Sequence, residues 1–177
     1  KEVIETQEFS GRLEAIERVE IRPRVPGYIT SVSFTPGGLV RKGDVLFTID
    51  ARPYQAELNR AEGNANSANA RAGLAKVELT RAERLLADKA IAQREFDERS
   101  AGLKELDASA RSAQAAVETA RLNLAYTRVV SPIDGRVSKA EITVGNLVDQ
   151  NAVLTSVVST DRIYASFDGD EQTYLRV

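Results

Sequence analysis

The sequence contains no cysteine, histidine, methionine or tryptophan. Without cysteine there is no disulfide and no thiolate nucleophile, and without histidine there is no imidazole general base. A Cys/His metal site is excluded for the same reason. No stretch approaches the roughly 18 consecutive apolar residues that a membrane-spanning helix needs. Of the common catalytic groups, these absences leave mainly carboxylates.

The charges are balanced and interspersed, with a formal net charge of -2 in 177 residues. A nucleic-acid-binding surface needs basic residues clustered on one face, so nucleic acid is not an expected partner. The hydrophobic content of 42% is too high for a disordered chain. The length predicts one or two folded domains.

Two segments resemble each other when the sequence is shifted by 108 residues. Both alternate short apolar runs with Gly or Asn, which predicts short strands joined by turns. Nine positions match without a gap: Gly27 with Gly135, Ile29 with Val137, Phe34 with Ile142, Gly37 with Gly145, Leu39 with Leu147, Val40 with Val148, Val45 with Val153, Leu46 with Leu154 and Ile49 with Val157. One copy is too small to bury a core, so we expect residues 27–51 and 129–159 to form one intertwined β unit. Its structural turns are predicted at Gly27, Gly43, Gly135 and Gly145, with Gly135 in a tight approach between strands.

The first copy ends in LVRKGDVLFTID, residues 39–50, which is typical of the hairpin of a biotin or lipoate carrier domain. Such a domain presents a lysine at the following turn. Here Pro53 stands where that lysine is expected, and alanine-rich sequence follows. Pro suits the first turn of a helix because it has no N–H to leave unpaired there. We therefore interpret this point as the start of a long helix.

Small and apolar residues recur at heptad spacing between the two copies, in two segments of over 30 residues, about 50 Å each. The first segment has position a at Leu58, Ala65, Ala72, Leu79 and Leu86, and position d at Tyr54, Ala61, Ala68, Ala75 and Ala82. The second has a at Phe96, Leu103, Ala110, Val117 and Leu124, and d at Leu106, Ala113 and Ala120, with Arg99 interrupting the d series. A link of only a few residues around 89–92 predicts an antiparallel two-stranded coiled coil. Surface ion pairs are expected at Glu57–Arg60, Glu78–Arg81, Glu95–Arg99, Asp107–Arg111 and Glu118–Arg121.

Four stretches of the sequence resemble the periplasmic adaptor proteins, or membrane fusion proteins, of tripartite RND-type multidrug efflux pumps, a branch of the HlyD family. They are VEIRPRVPGYI (19–29), VRKGDVLFTID (40–50), TRVVSPIDGRVS (127–138) and FDGDEQTYLR (167–176). The resemblance implies an elongated α+β multidomain protein: an antiparallel coiled-coil α-hairpin (53–127) inserted in a lipoyl-like β-sandwich (17–52 and 128–160), with part of a β-barrel at the flanks (1–16 and 161–177). It implies a protein that is not an enzyme and carries no lipoate and no other cofactor.

The same resemblance implies partners and a location. Members of the family sit in the periplasm, are anchored to the inner membrane, and form hexameric rings. They join an inner-membrane RND drug/proton antiporter to an outer-membrane channel of the TolC type. The sequence has no lipidation Cys and little of the barrel, so we expect a truncated mature form without its anchor.

The hairpin tip, residues 81–92 (RAERLLADKAIA), carries the expected channel-docking site. The family's motif is Arg, then Leu four residues on, then Ser seven further. This sequence keeps Arg81 and Leu85 but has Ala92 where Ser is usual. Because that Ser would cap the second helix, its loss is expected to cost about 1 kcal/mol.

Three other interpretations compete with the RND adaptor. An ABC-type efflux or secretion system could be the partner. A biotinyl or lipoyl carrier would need a lysine at the hairpin turn, and Lys42, in the preceding turn, reads as a solvated turn residue. A carboxylate hydrolase would need an acidic motif, whereas Asp134 and Asp161 fit turn or cap roles.

Overall fold

The computed structural model describes residues 11–161 and 163–167 of the chain. Ten strands and two long helices follow each other in the order β1 (Gly11–Ala15), β2 (Arg18–Ile21), β3 (Gly27–Val32), β4 (Leu39–Val40), β5 (Val45–Ile49), α1 (Arg52–Ala87), α2 (Gln93–Ala125), β6 (Arg128–Val130), β7 (Gly135–Val137), β8 (Leu147–Val148), β9 (Thr155–Val158) and β10 (Ile163–Phe167). The chain divides into a β unit, residues 1–49 and 128–177, and a helical unit, residues 50–127.

The β unit is built from two four-stranded antiparallel sheets with the orders β2-β9-β7-β4 and β6-β5-β3-β8. Each sheet takes strands from both sequence copies. A shift of 108 residues carries one sheet order onto the other, strand for strand. The registers correspond as well, since Val40 pairs with Gly135 and Val148 pairs with Gly27. The intertwined unit predicted from the repeat is therefore confirmed, and the two copies are related as halves of one sandwich.

Several of the residues that match between the copies form the centre of the sandwich core, although the matched pair Leu39–Leu147 is exposed. Ile29 and Val137 are each 1% exposed, and the pairs Leu46–Leu154 and Ile49–Val157 are fully buried. Phe47 adds the largest buried side chain and meets the ring of Phe34 edge to face, with centroids 5.3 Å apart. Phe47 and Ile49 lie two residues apart on one face of β5, whereas Leu46 is buried beside the register irregularity between Val45 and Phe47. Burial of each of these side chains contributes about 1.5–3 kcal/mol.

Polar groups in the core are paired. Ser131 donates to the carbonyl oxygen of Ile133 at 2.7 Å, and Thr155 donates to that of Lys139 at 2.9 Å. Among the described residues, no buried side-chain nitrogen or oxygen lacks a hydrogen-bond partner. The sandwich therefore carries no unpaired buried group of the kind that catalytic or ligand-binding sites often contain.

The four glycines predicted as turns divide into two kinds. Gly43 and Gly145 lie in turns with φ of 94° and 91°, a region that favours glycine. Gly27 and Gly135 are instead the first residues of strands β3 and β7. The turn assignment of Gly27 was therefore wrong, whereas the tight approach between strands predicted at Gly135 is confirmed. A Cβ at Gly135 would collide with the carbonyl oxygen of Val158, and one at Gly27 would lie 2.5 Å from Ile49 Cγ2. These two positions need glycine because atoms of a neighbouring strand leave no room for a Cβ.

The flanking strands β1 and β10 pair with each other in a separate two-stranded antiparallel sheet, from Gly11 opposite Phe167 to Ala15 opposite Ile163. They are the described part of the flanks in which a partial barrel is expected. Residues 1–10 and 168–177 of those flanks lie outside the described residues.

The helical unit is an antiparallel hairpin of 36 and 33 residues. Pro53 lies in the first turn of α1, as its missing N–H predicts. Near the open end of the hairpin, Leu58, Ala61 and Ala65 pack with Val117 and Ala120. Ala113 and Leu124 complete this cluster. The small side chains bring the two helices together along a narrow apolar seam.

Candidate docking site at the hairpin tip

The end of α1 is set by hydrogen bonds from three successive backbone N–H groups. Asp88 donates to the carbonyl oxygen of Arg84 at 3.0 Å, Lys89 to that of Leu86 at 2.9 Å, and Ala90 to that of Leu85 at 2.7 Å. Lys89 has a φ of 58°, so the last two bonds form a Schellman motif around a left-handed residue. Glycine usually occupies this position. Because a lysine stands there instead, the end of α1 at this residue could not be predicted from residue type.

The start of α2 lacks a side-chain cap. Ala92 is extended, with φ of -77° and ψ of 149°, and its carbonyl oxygen accepts the N–H of Glu95 at 3.1 Å. Ile91 and Phe96, at the two positions of a hydrophobic staple, are both half-buried. The tip therefore has a defined backbone even without the Ser that the family uses there.

Arg81 and Leu85 lie four residues apart on one face of α1, and both are exposed. Leu85 exposes 36% of its surface, whereas its neighbour Leu86 turns toward the seam and is half-buried. Ala92 is also exposed, but it belongs to α2, across the turn. The structure thus joins two of the three expected docking residues on one helix face and places the third at the start of the other helix.

Within the described residues, no acidic side chain forms an ion pair with the guanidinium of Arg81. Of the expected ion pairs, Glu95–Arg99 forms at 2.7 Å, and Glu57–Arg60 and Glu118–Arg121 form as well. The expected pairs Glu78–Arg81 and Asp107–Arg111 do not form within the described part of the chain, so those two expectations were wrong. Such exposed pairs contribute only a few tenths of a kcal/mol to stability, so the side chains are only weakly held in contact. Arg81 therefore presents unused donors beside Leu85.

The residues expected along the seam differ in how deeply they lie. Leu58 and Val117 are 7% and 3% exposed. The other six are half-buried: Leu79, Leu86, Phe96, Leu103, Leu106 and Leu124. In a two-stranded hairpin the seam has solvent on both sides, so large side chains at a and d retain some exposure.

The chemistry of an enzyme or of a carrier finds no support in the described residues. Asp134 accepts the backbone N–H of Lys42 at 2.7 Å, which is a turn role for both residues. No cluster of three acidic side chains is placed to hold a metal in residues 11–161 and 163–167. Neither helix of that part of the chain combines the length and the apolar character of a membrane span.

Comparison with known proteins agrees with this architecture. Residues 17–160 match the family model described as "RND MFP, barrel-sandwich hybrid domain". The chain belongs to the RND membrane fusion protein family. That range contains both sheets of the sandwich and the whole hairpin, so the family match covers the candidate docking site.

Among relatives in this family, AcrA of Escherichia coli (strain K12), a multidrug efflux pump subunit, is 38% identical over 174 residues. The multidrug resistance protein MdtE of the same strain is 38% identical over 172 residues. The alignments cover 97% and 96% of this chain but 44% and 45% of those proteins. The chain therefore spans a little under half the length of these relatives.

A solved structure shows the same fold. A MacA–MexA chimeric protein with the α-hairpin domain of Pseudomonas aeruginosa MexA is 29% identical, with a TM-score of 0.69 over 94% of this chain and 56% of the chimera. The helical hairpin carried by a split β unit is thus the architecture of a membrane fusion protein.

Proposed function

We propose that the protein is the periplasmic adaptor of a tripartite multidrug efflux pump. It joins an inner-membrane RND drug/proton antiporter to an outer-membrane channel of the TolC type, and several copies assemble into a ring. Membership of the RND membrane fusion protein family supports the adaptor role. The name of AcrA, a multidrug efflux pump subunit, supports drugs as the transported class.

The channel is proposed to bind the hairpin tip through Leu85 and Arg81. The observation that carries this step is a leucine with 36% of its surface exposed, close to the turn of the hairpin and beside a guanidinium for which the described residues supply no partner. Leu85 would enter an apolar gap between channel helices, where a buried aliphatic side chain contributes about 1.5–3 kcal/mol. Arg81 would donate charge-assisted hydrogen bonds to carbonyl or carboxylate oxygens at the rim of that gap.

Leu85→Asp tests the docking step. In efflux-deficient cells that carry the full-length protein with its pump and channel, this variant should abolish drug resistance at normal protein levels. The reason is that a carboxylate buried in an apolar gap without a partner costs several kcal/mol. Association with the channel, measured by co-purification, should be lost together with resistance.

Ala87→Asp is the matched control. It introduces the same charge two residues further on, about 200° around the helix, at another exposed position. This variant should keep its resistance and its channel association. Full resistance of the Leu85→Asp cells at normal protein levels would show that this face does not dock on the channel.

A further inference from the structure

One residue at the hairpin tip has a backbone conformation that is unfavourable for its residue type. Lys89 has a φ of 58°, in the left-handed region. The backbone crowds a Cβ in this region, so a residue with a side chain is less stable there than glycine. The other described residues with positive φ are all glycines: Gly27, Gly37, Gly43 and Gly145. A lysine at this position therefore needs a reason other than the fold of the turn.

The turn itself uses only the backbone of Lys89. Its N–H donates to the carbonyl oxygen of Leu86 at 2.9 Å, and the next N–H, that of Ala90, donates to the carbonyl oxygen of Leu85 at 2.7 Å. Glycine would make the same two hydrogen bonds without the crowding. The two bonds hold the backbone in place, but they make no use of the lysine side chain.

The described part of the chain supplies no partner for the ammonium group. Lys89 is exposed, and no carboxylate in that part forms an ion pair with it, not even that of its neighbour Asp88. A positive charge near the C-terminal end of a helix is favourable. Arg84 already supplies such a charge in the last turn of α1, so the helix end does not depend on Lys89.

Lys89 lies at the apex of the hairpin, in the link of residues 88–92 between the two helices. Of the side chains in this link, only those of Asp88 and Lys89 are charged, and both are exposed. The other three are two alanines and a half-buried isoleucine. The hydrogen bond from the N–H of Ala90 to the carbonyl oxygen of Leu85 keeps Lys89 beside the last turn of α1. That turn carries the proposed docking leucine.

We propose that Lys89 binds the outer-membrane channel, with its ammonium group paired to a carboxylate at the channel's entrance. Residues in unfavourable backbone conformations persist where they serve a function, and a tip that meets another protein is such a place. An ammonium group is a compact charge on a flexible stem, which suits a single carboxylate. This inference rests on the docking step of the proposed function, and it adds to that step one residue and the charge of the partner surface.

The charges of the tip agree with an acidic partner surface. Residues 81–92 contain three basic and two acidic side chains, a net charge of +1, whereas the whole chain has a net charge of -2. Without the ammonium group of Lys89, this stretch would be neutral. Opposite charges on two surfaces that meet speed their encounter and favour their pairing, and salt screens both effects.

Lys89→Gly separates the fold from the contact, because the two should change in opposite directions. Glycine relieves the crowding, so the thermal midpoint of the full-length protein should be kept or raised. Its affinity for the channel should fall about tenfold. The probe is the purified outer-membrane channel of the TolC type that co-purifies with the full-length protein. A lower midpoint with unchanged affinity would mean that Lys89 serves only the fold, and the proposal would be wrong.

Lys89→Asn distinguishes loss of charge from gain of backbone freedom. Asparagine tolerates the left-handed region better than most residues and carries no charge. It should lower the affinity as much as glycine does and should weaken the salt dependence of binding. Lys89→Glu reverses the charge and should lower the affinity further, by roughly a hundredfold at low salt. Equal affinities for lysine, asparagine and glutamate at this position would overturn the proposal.

Lys104→Gln is the matched control. Lys104 is also exposed, but it lies about 16 Å down α2 from the start of that helix. Its replacement changes the net charge of the chain by the same amount as Lys89→Asn. The affinity for the channel should therefore stay within about twofold of the parent. A fall as large as that of Lys89→Asn would mean that overall charge, and not Lys89, is what the channel senses.

Chemical cross-linking identifies the contact directly. A carbodiimide condenses an amine and a carboxylate that touch into an amide, and the reagent takes up the water released. Treatment of the adaptor–channel complex should give a linked product whose adaptor peptide contains Lys89. Lys89→Arg keeps the charge but has no amine, so it should lose this product and keep its affinity within about threefold. A product joined only through other lysines would contradict the proposed pairing.

Leu85→Asp separates failure of this inference from failure of the proposed function. If Leu85→Asp removes channel binding while Lys89→Gly, Lys89→Asn and Lys89→Glu bind like the parent, the docking step stands and this inference fails. If Leu85→Asp also binds like the parent, the tip does not dock on the channel, and both are removed.

Discussion

Asp50 accepts two kinds of hydrogen bond from Arg52, one from its backbone N–H at 3.0 Å and one from guanidinium Nη2 at 2.6 Å. α1 begins at Arg52, and the preceding Ala51 has no side chain that could cap it. Asp50 thus supplies the cap from one residue further back. The guanidinium hydrogen bond and then the backbone one hold the pKa of Asp50 at about 2, below its ordinary 3.8. Asp50, three residues before the position where a carrier lysine is expected, thus holds the start of α1.

This pair predicts a pH dependence of stability. Because the pKa of Asp50 is lower in the folded chain than in the unfolded one, its carboxylate stabilises the fold above pH about 4, and that contribution is lost as the pH falls toward about 2. Asp50→Asn removes the charge at every pH. The difference in thermal midpoint between parent and variant should therefore be largest near neutral pH and shrink in acid. A difference that stays constant with pH would show that the carboxylate charge is not involved.

The uncapped start of α2 can be repaired. Ala92 is extended and Glu95 stands three residues later, so Ala92→Ser restores both members of a capping box. The free energy of unfolding should rise by about 1 kcal/mol. The measurement is chemical denaturation followed by the helical signal. Ala92→Val, which adds bulk without a hydroxyl, should give no gain, and an equal gain from Val would exclude the capping explanation.

The loss of stability on replacing a seam leucine by alanine should increase with how deeply that leucine is buried. Leu58 is 7% exposed inside the apolar cluster, whereas Leu79 is half-buried. Leu58→Ala should lower the free energy of unfolding by about 3 kcal/mol and Leu79→Ala by about 2. Thermal melting by circular dichroism measures both. If Leu79→Ala caused no loss, the heptad assignment near the tip would be wrong.

Gly135 should be the least replaceable glycine in the sandwich. Gly135→Ala forces a Cβ against the backbone carbonyl of Val158, which cannot rotate away. We expect a loss of about 3 kcal/mol. Gly102→Ala is the control, since no neighbouring atom lies within 4 Å of a Cβ there, and it should add roughly 1 kcal/mol of helix stability. Equal effects in denaturant titrations would mean that the strands can move apart at Gly135.

Sequence periodicity was sufficient to predict the parts of the fold that are determined by burial of apolar side chains. The matched pairs Ile29–Val137 and Leu46–Leu154 are the core of the sandwich, because an apolar residue repeated in two copies signals one buried face. Pro53 predicted the start of α1 because its missing N–H is tolerated in the first turn of a helix. The intertwining followed from the size of each copy, which cannot form a core alone.

Features that depend on local backbone geometry or on weak surface interactions could not be predicted from the sequence. Lys89 adopts a left-handed conformation that usually demands glycine, so no residue signal announced the Schellman motif. Gly27 looked like a turn residue, but it begins strand β3 and lies against the side chain of Ile49. Arg81 was expected to pair with Glu78, yet an exposed ion pair is too weak for spacing alone to decide whether it forms.

The guanidinium of Arg81 has no partner among the described residues, so its donors are available to the channel. Arg81→Ala should weaken binding of the full-length protein to its purified channel by roughly 1.5–3 kcal/mol, the range for hydrogen bonds to a charged group. The loss should be smaller than that caused by Leu85→Asp, because removing a rim donor leaves no charge buried. Arg81→Lys keeps the charge but not the forked donors. Compared with Arg81→Ala, it should therefore bring the salt dependence of channel binding closer to that of the parent than it brings the affinity. Titration of the channel at two salt concentrations measures both quantities. Arg81→Ala binding that matches the parent at both salts would mean that the guanidinium makes no contact with the channel and that Leu85 docks without it.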